Sequence, residues 1–270
     1  YAPIIQYLEQ AKDLGYKKVA MVGIPCQVYA ARSLENELGF EKLFIIGSPC
    51  SDNTTTEKFH QFLGLLSSEP ETISYLEFRA DYHVEIRFEN GQKQEIPFLK
   101  LPLSDLPADF FPTTCKTCVD YINSLSDITV GYMAGTGEQW LIIRNEKGKG
   151  LASMLAGELV LEPLSSAGNR FSAVKGFMRN VELAAGGLPV QRMPNLLRGI
   201  FAWVMPRFGP RGLEFAKARI EMKAIESIIH LRNTAPHKIK NMVPQHLWKI
   251  VQKYGLEPQN EEIRESREST

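Results

Sequence analysis

Four cysteines offer the widest scope for chemistry in this sequence: Cys26, Cys50, Cys115 and Cys118. Cys115 and Cys118 form a C-x-x-C pair, a spacing at which one turn of chain aims both sulfurs at one ion or cluster. Cys26 and Cys50 stand alone, each directly after a proline, in Gly23-Ile24-Pro25-Cys26-Gln27 and Gly47-Ser48-Pro49-Cys50-Ser51-Asp52-Asn53. Four thiols in 270 residues do not make a disulfide scaffold. Several roles stay open. Cys26 and Cys50 can be inert buried thiols. A thioredoxin-like redox pair would open a helix directly after a strand, whereas Cys115 follows a Pro-rich stretch. A zinc ribbon normally has two C-x-x-C knuckles and this chain has one. An iron–sulfur cubane needs four thiolates from several directions and tolerates ligands scattered along the chain.

Other reactive patterns are missing. No Gly-x-Gly-x-x-Gly follows a strand, and there is no serine nucleophile elbow or Walker loop. His60, His83, His230, His237 and His246 lack metal-ligand spacing. The stretch Gly131-Tyr132-Met133-Ala134-Gly135-Thr136-Gly137 reads as a plain loop, or as backbone that a cofactor can approach closely.

The elements that position the cysteines follow from hydrophobic periodicity. Ile4, Ile5, Leu8, Ala11 and Leu14 predict a helix closed by Gly15. Lys18–Gly23 and Leu43–Gly47 are short apolar runs of the kind that form buried strands. A helix is predicted from about Gln27 to Leu38, and another, capped by Thr54 or Thr55, to about Leu66. Two strand–turn–helix units therefore follow one another, each with a cysteine in the turn. In a parallel sheet both turns lie at the carboxyl edge, where such folds bind ligands. Residues 73–78, 82–88 and 94–98 predict a small antiparallel insert. A Pro-rich connection leads to the C-x-x-C pair and a short helix to about Leu125. Strands at 127–132 and 140–144 follow. The second half predicts helices over 147–156, 171–185, 196–205 (stopped by Pro206), 211–232 and 244–254, with a polar loop at 165–170. The expected fold class is α/β: a mixed sheet with parallel βα units carrying cofactor turns, a small antiparallel insert and a helical C-terminal part. The expected domains are a core over 1–160 with the β insert at about 72–98, a helical region over 161–258 packed on it, and a charged tail over 259–270.

Composition sets outer limits. Lys+Arg and Asp+Glu each number 31, giving a formal net charge of zero, with 44% hydrophobic and 23% charged residues. That excludes extensive disorder, and it excludes electrostatic capture of nucleic acid or anionic membrane as the main role of the whole chain. No apolar run reaches about 18 residues, so no transmembrane segment is expected, and no signal peptide is expected within these residues.

The cysteine motifs, together with Cys115-Lys116-Thr117-Cys118-Val119-Asp120-Tyr121, Ser126-Asp127-Ile128-Thr129-Val130-Gly131-Tyr132, Arg144-Asn145-Glu146-Lys147-Gly148 and Gly209-Pro210-Arg211-Gly212-Leu213-Glu214-Phe215-Ala216, resemble one family. It is the iron–sulfur flavoprotein family of the deazaflavin-dependent hydrogenase beta subunit, in its chlorophyll-biosynthesis branch. The resemblance covers nearly the whole chain. It implies a [4Fe–4S] cluster ligated by Cys26, Cys50, Cys115 and Cys118, and FAD contacts around Asp52, Asn53, Gly131, Tyr132, Arg144 and Asn145. It implies ferredoxin as electron donor, a chlorophyllide-type tetrapyrrole as substrate, and reduction of its 8-vinyl group to ethyl. The short segment between Tyr132 and Trp140 favours that group over the 7-hydroxymethyl group; a deazaflavin-linked electron-transfer subunit is a further alternative. Asp52, Asp120 and Tyr132 are the candidate proton donors, and Asp120 has the alternative of bonding a cluster sulfur or capping a helix. Leu196–Met205, with Phe201 and Trp203, is expected either to wall an apolar substrate pocket or to serve as a core or oligomer-contact helix, which leaves a homo-oligomer open. Arg207 and Arg211 are expected either to meet a substrate carboxylate or to be solvated. Relatives carry an N-terminal ferredoxin-like segment that is absent here, so the sequence is expected to be the C-terminal part of a longer reductase. The implied location is the cytoplasm of a phototrophic bacterium or the chloroplast stroma, with a place beside photosynthetic membranes left open. From a different class, the same cysteines fit a zinc-stabilised, non-catalytic interaction subunit.

Overall fold

A computed structural model describes residues 3–131, 139–184, 187 and 193–263. In chain order the elements are α1 (Ile4–Asp13), β1 (Lys18–Gly23), α2 (Pro25–Ser33), α3 (Glu35–Leu38), β2 (Lys42–Gly47), α4 (Thr56–Leu66), β3 (Ile73–Phe78), β4 (His83–Phe88) and β5 (Lys93–Pro97). Then come α5 (Thr113–Lys116), β6 (Ile128–Gly131), β7 (Trp140–Ile143), α6 (Glu146–Met154), β8 (Ser166–Ala167), α7 (Arg170–Ala184), α8 (Asn195–Phe208), β9 (Arg211–Gly212), α9 (Leu213–Thr234), α10 (Ile239–Met242) and α11 (Gln245–Val251). The mixed sheet, the antiparallel insert and the helical C-terminal part are as expected. The chain divides into two compact units: residues 1–51 with 120–165, and residues 52–119 with 166–270.

The first unit holds a four-stranded sheet in the order β1-β2-β6-β7. The first three strands run parallel and β7 pairs antiparallel with β6. Leu8, Met21, Val28, Ala31, Leu38, Leu43 and Ile45 form its buried core, so α1, α2 and α3 cover one face of β1 and β2. α3 ends at Gly39, whose φ of +65° is the left-handed cap that glycine adopts without strain.

The second unit has two apolar clusters. In one, Phe62 and Leu63 of α4 pack with Val84 and Ile86 of β4, Leu101, Leu106 and Phe110. In the other, α9 is the central helix, and its Ala224, Ile225, Ile228 and Leu231 pack with Val174 of α7, Ile239 and Val251.

Several expectations need correction. α2 starts at Pro25, so Cys26 sits in its first helical turn. Proline at N1 lacks an N–H that would be unpaired there anyway, and Gln27 Oε1 caps the end by accepting from Ile24 N at 3.2 Å. The short helix expected from Cys118 to about Leu125 does not form. Instead Asp120 accepts from Ser124 N (2.8 Å) and Ser124 Oγ (2.9 Å), and Asn123 takes φ +58°, which is incompatible with continuing a right-handed helix. Asp120 therefore closes a turn rather than capping a helix. Pro206 lies inside α8, which runs on to Phe208: within the last turn a proline removes one helical hydrogen bond. The loop at 165–170 includes a two-residue ladder, Ser166–Ala167 against Arg211–Gly212. Among the described residues no helix is long and apolar enough to cross a membrane.

Candidate cysteine site

In the first unit, β1 and β2 end together: Gly23 pairs with Gly47 in parallel register. The chain leaves both strands at the same edge and reaches Cys26, which is exposed, and Cys50, which is half-buried. One buried side chain ties the two exits. Asn123 Nδ2 donates to Gly23 O at 2.7 Å and lies 3.4 Å from Ser48 O. The glycine at 47 is required by this contact, because a Cβ there would stand 2.7 Å from the Asn123 amide. Asn123 Oδ1 is buried without a hydrogen-bond partner among the described residues. The Cys50 N–H donates to Tyr121 O at 2.9 Å. Gly131, at the end of β6, faces Pro49: a Cβ there would lie 2.5 Å from Pro49 Cδ. The missing side chain at Gly131 thus lets the cysteine turn approach β6 closely.

Behind this edge lies Asp127, fully buried. It accepts from Ile45 N (2.7 Å), Arg32 Nη2 (2.7 Å) and Asn145 Nδ2 (2.8 Å). Asn145 also caps α6, accepting from Gly148 N at 2.9 Å. Arg144 donates to Ile122 O at 2.7 Å and Thr129 Oγ1 at 3.1 Å, and burial pulls its pKa below the ordinary value. Both Arg144 and Asn145 hold structure in this unit.

In the second unit, α5 and the turn after it carry the C-x-x-C pair. Cys118 N donates to Cys115 O at 3.1 Å, so both half-buried thiols belong to one turn. α9 grips this turn from behind. Lys223 Nζ donates to Cys115 O at 2.9 Å and to Asp52 Oδ1 at 2.7 Å, and Ser227 Oγ donates to Cys118 O at 2.6 Å. The Lys223 side chain is 4% exposed. Burial pushes the Asp52 carboxyl up despite the pull of Lys223, and it pushes Glu226 up as well, 3.9 Å from Lys223 Nζ. Asn53 Oδ1 accepts from Thr54 N at 2.8 Å, and Thr54 Oγ1 donates to Phe110 O at 2.6 Å.

The structure therefore brings Cys26 and Cys50 to one sheet edge, and Cys115 and Cys118 into one turn. None of the four cysteines forms a disulfide. Among the described residues no three His, Cys, Asp or Glu side chains gather as a metal-ligand group. Tyr132 lies outside the described residues. Arg207 donates to Trp203 O and Arg211 to Pro206 O, so both arginines bond their own segment. Sequence reading missed Asn123, Asp127, Lys223 and Ser227. For the last two a partial signal existed: Arg219, Lys223, Glu226, Ser227 and His230 make a polar stripe along one side of α9, while Glu214, Lys217, Glu221 and Arg232 make a second on the opposite side.

Residues 16–167 match the family described as coenzyme F420 hydrogenase/dehydrogenase, C terminus of the beta subunit, which is more than half of the chain. The chain belongs to this family. The F420 beta-subunit match spans β1 and β2 with their cysteine exits, the C-x-x-C turn and the strands β6 and β7. An uncharacterized protein of Nostoc sp. is 34% identical over 94% of the chain and 63% of its own length. The chloroplastic 7-hydroxymethyl chlorophyll a reductase of Oryza sativa is 33% identical over 94% of the chain and 56% of its own length. The coenzyme F420-dependent sulfite reductase of Methanocaldococcus jannaschii is 26% identical over 53% of the chain and 24% of its own length. The chain thus spans less than two thirds of each of these relatives.

Proposed function

We propose that this chain is the reductase portion of an iron–sulfur flavoprotein that reduces a side group of a chlorophyll-type tetrapyrrole, with the 8-vinyl group as substrate group and reduced ferredoxin as electron donor. The observation that carries the reading is the pairing of four cysteines outside any disulfide, on turns after strands and in a C-x-x-C, with membership of the F420 beta-subunit family. The similarity to a chlorophyll a reductase supports the pigment class.

Cys26, Cys50, Cys115 and Cys118 are the proposed ligands of a [4Fe–4S] cluster. The donor set fits: thiolates are the ligands such clusters take, and none of the four is committed to a disulfide. FAD is the proposed second cofactor, with Asp52, Asn53, Gly131, Tyr132, Arg144 and Asn145 as its neighbourhood. When bound, the pair couples a one-electron donor to a two-electron reduction. The protein's own part is positional. Asn123 fixes the two strand exits, while Lys223 and Ser227 hold the carbonyls of Cys115 and Cys118 and so orient that turn. The proposed location is the cytoplasm of a phototroph or the chloroplast stroma.

A second reading is reduction of the 7-hydroxymethyl group, favoured by the 33% identity to the rice enzyme. The discriminating experiment incubates the anaerobically purified full-length protein with reduced ferredoxin and either divinyl chlorophyllide or 7-hydroxymethyl chlorophyll a. Monovinyl product supports the first reading; turnover of the hydroxymethyl pigment alone selects the second. A colourless protein carrying one zinc, without flavin, would defeat both and establish the zinc-stabilised interaction role. Cys118→Ser should abolish bound iron; unchanged iron content overturns the ligand assignment.

A further inference from the structure

We propose that α8 is a membrane-surface helix that lays its apolar face on an anionic lipid bilayer. This goes beyond the reductase reading and does not depend on it.

Leu196, Ile200 and Trp203 recur at helical spacing on one side of α8, and Arg207 continues the row. Leu197, Phe201 and Phe208 flank it. These apolar side chains are open to solvent, with Leu196 77%, Trp203 57% and Phe208 65% exposed. The opposite side is anchored. Ala202 is buried, and Arg198 donates to Leu99 O at 3.2 Å and Leu101 O at 2.7 Å. The helix is therefore fixed to its unit by one side and offers the other as a continuous apolar stripe. A stripe of this kind needs an explanation, since exposed apolar residues are ordinary singly but not in a row.

Charge decides between occupants. From Leu183 to Leu213 the sequence carries Arg192, Arg198, Arg207 and Arg211 and no Asp, Glu or Lys. The whole chain is neutral, so this is a local excess. The Arg207 guanidinium lies 4.5 Å over the Trp203 ring, at the end of the stripe. Apolar side chains, a tryptophan and arginines without acids are what an interfacial helix uses: the apolar face enters the acyl boundary while Trp and Arg sit at the headgroups. A second copy of the chain is a poorer occupant. The charged group on this face is Arg207, and a copy's identical face offers it no carboxylate from the segment.

The test is co-sedimentation of the full cofactor-loaded protein with vesicles of phosphatidylcholine, alone or mixed with phosphatidylglycerol. Binding to the mixed vesicles is expected, weakened by high salt and much weaker without the anionic lipid. Trp203→Glu and, separately, Leu196→Glu should each lower the partition coefficient about tenfold or more, and Arg207→Gln about fivefold. Circular dichroism and gel filtration of the variants should match the parent protein. Absence of vesicle binding by the parent overturns the proposal, as does binding that survives both glutamate variants. A parent dimer that Trp203→Glu dissolves, without vesicle binding, would assign the face to a second copy instead. Because the readout needs no substrate, it stands or falls separately from the reductase assay.

Discussion

Asn123 Nδ2 stands 2.7 Å from the carbonyl oxygen of Gly23, a residue 100 positions earlier in the chain. That contact, with Ser48 O at 3.4 Å, makes one amide the strut between the exits that lead to Cys26 and Cys50. Asn123→Ala removes the donor and leaves alanine at φ +58°. The expected loss is about 2–4 kcal/mol in urea unfolding. Asn123→Gly should recover the backbone part and still be less stable than the parent. Equal stability of Asn123→Ala and the parent would remove the strut from the account.

Asp127 gathers three donors in a buried position. Asp127→Ala leaves Arg32 Nη2, the Ile45 N–H and Asn145 Nδ2 without this acceptor, although Arg32 keeps Glu35 and the Leu125 carbonyl, and about 3–5 kcal/mol should be lost. Arg32→Met should cost less, since Ile45 and Asn145 still donate to the carboxylate. Thermal melts of both variants give the order, and a larger loss for Arg32→Met would reverse it.

Lys223 serves the cysteine turn and Asp52 at once. Lys223→Met strands a buried carboxylate and the Cys115 carbonyl, with an expected loss of about 3–5 kcal/mol. Adding Asp52→Asn should restore part of that loss, because the uncompensated charge is gone. A double variant less stable than Lys223→Met would show that the pair does not act as a unit.

Glu262 sets an acid limit on the helical part. Burial alone would raise its carboxyl, but the hydrogen bonds from Arg232 and the Gln259 N–H hold it below the ordinary 4.5. A carboxyl depressed in the folded state stabilises it fully above the unfolded value, and the gain is lost as pH falls through the folded value. Glu262→Gln should therefore be less stable near neutrality and lose stability less steeply below about pH 4.5. Parallel acid-unfolding curves for the two proteins would contradict this.

The fold was legible where local pattern decides it. β1 and β2 are apolar runs ending in glycine, and the hairpin of β4 and β5 follows clean alternation with a turn at Gly91. Boundaries slipped where a proline permits more than its reputation suggests: Pro25 starts α2 ahead of Gln27, and Pro206 does not end α8. The cysteines could be found by type, and their two turns by position after strands. The side chains that hold those turns could not, because their partners are distant. Asp127 is 82 residues from Ile45, and Lys223 is 108 from Cys115. A buried asparagine or lysine in sequence looks like a solvated one until the fold supplies its partner.

The return of the chain from residues 52–119 to the first sheet has a kinetic consequence. β6 joins β2 through Ile46 and Ile128, and β7 closes the sheet only after that. During synthesis β1 and β2 emerge early, yet their third and fourth strands arrive when most of the intervening segment has already left the ribosome. Such distant pairing is slow to form. The nascent first unit keeps an unpaired strand edge and two accessible thiols through that interval, a state prone to aggregation. Productive assembly thus calls for protection of a half-built sheet until translation has passed β7.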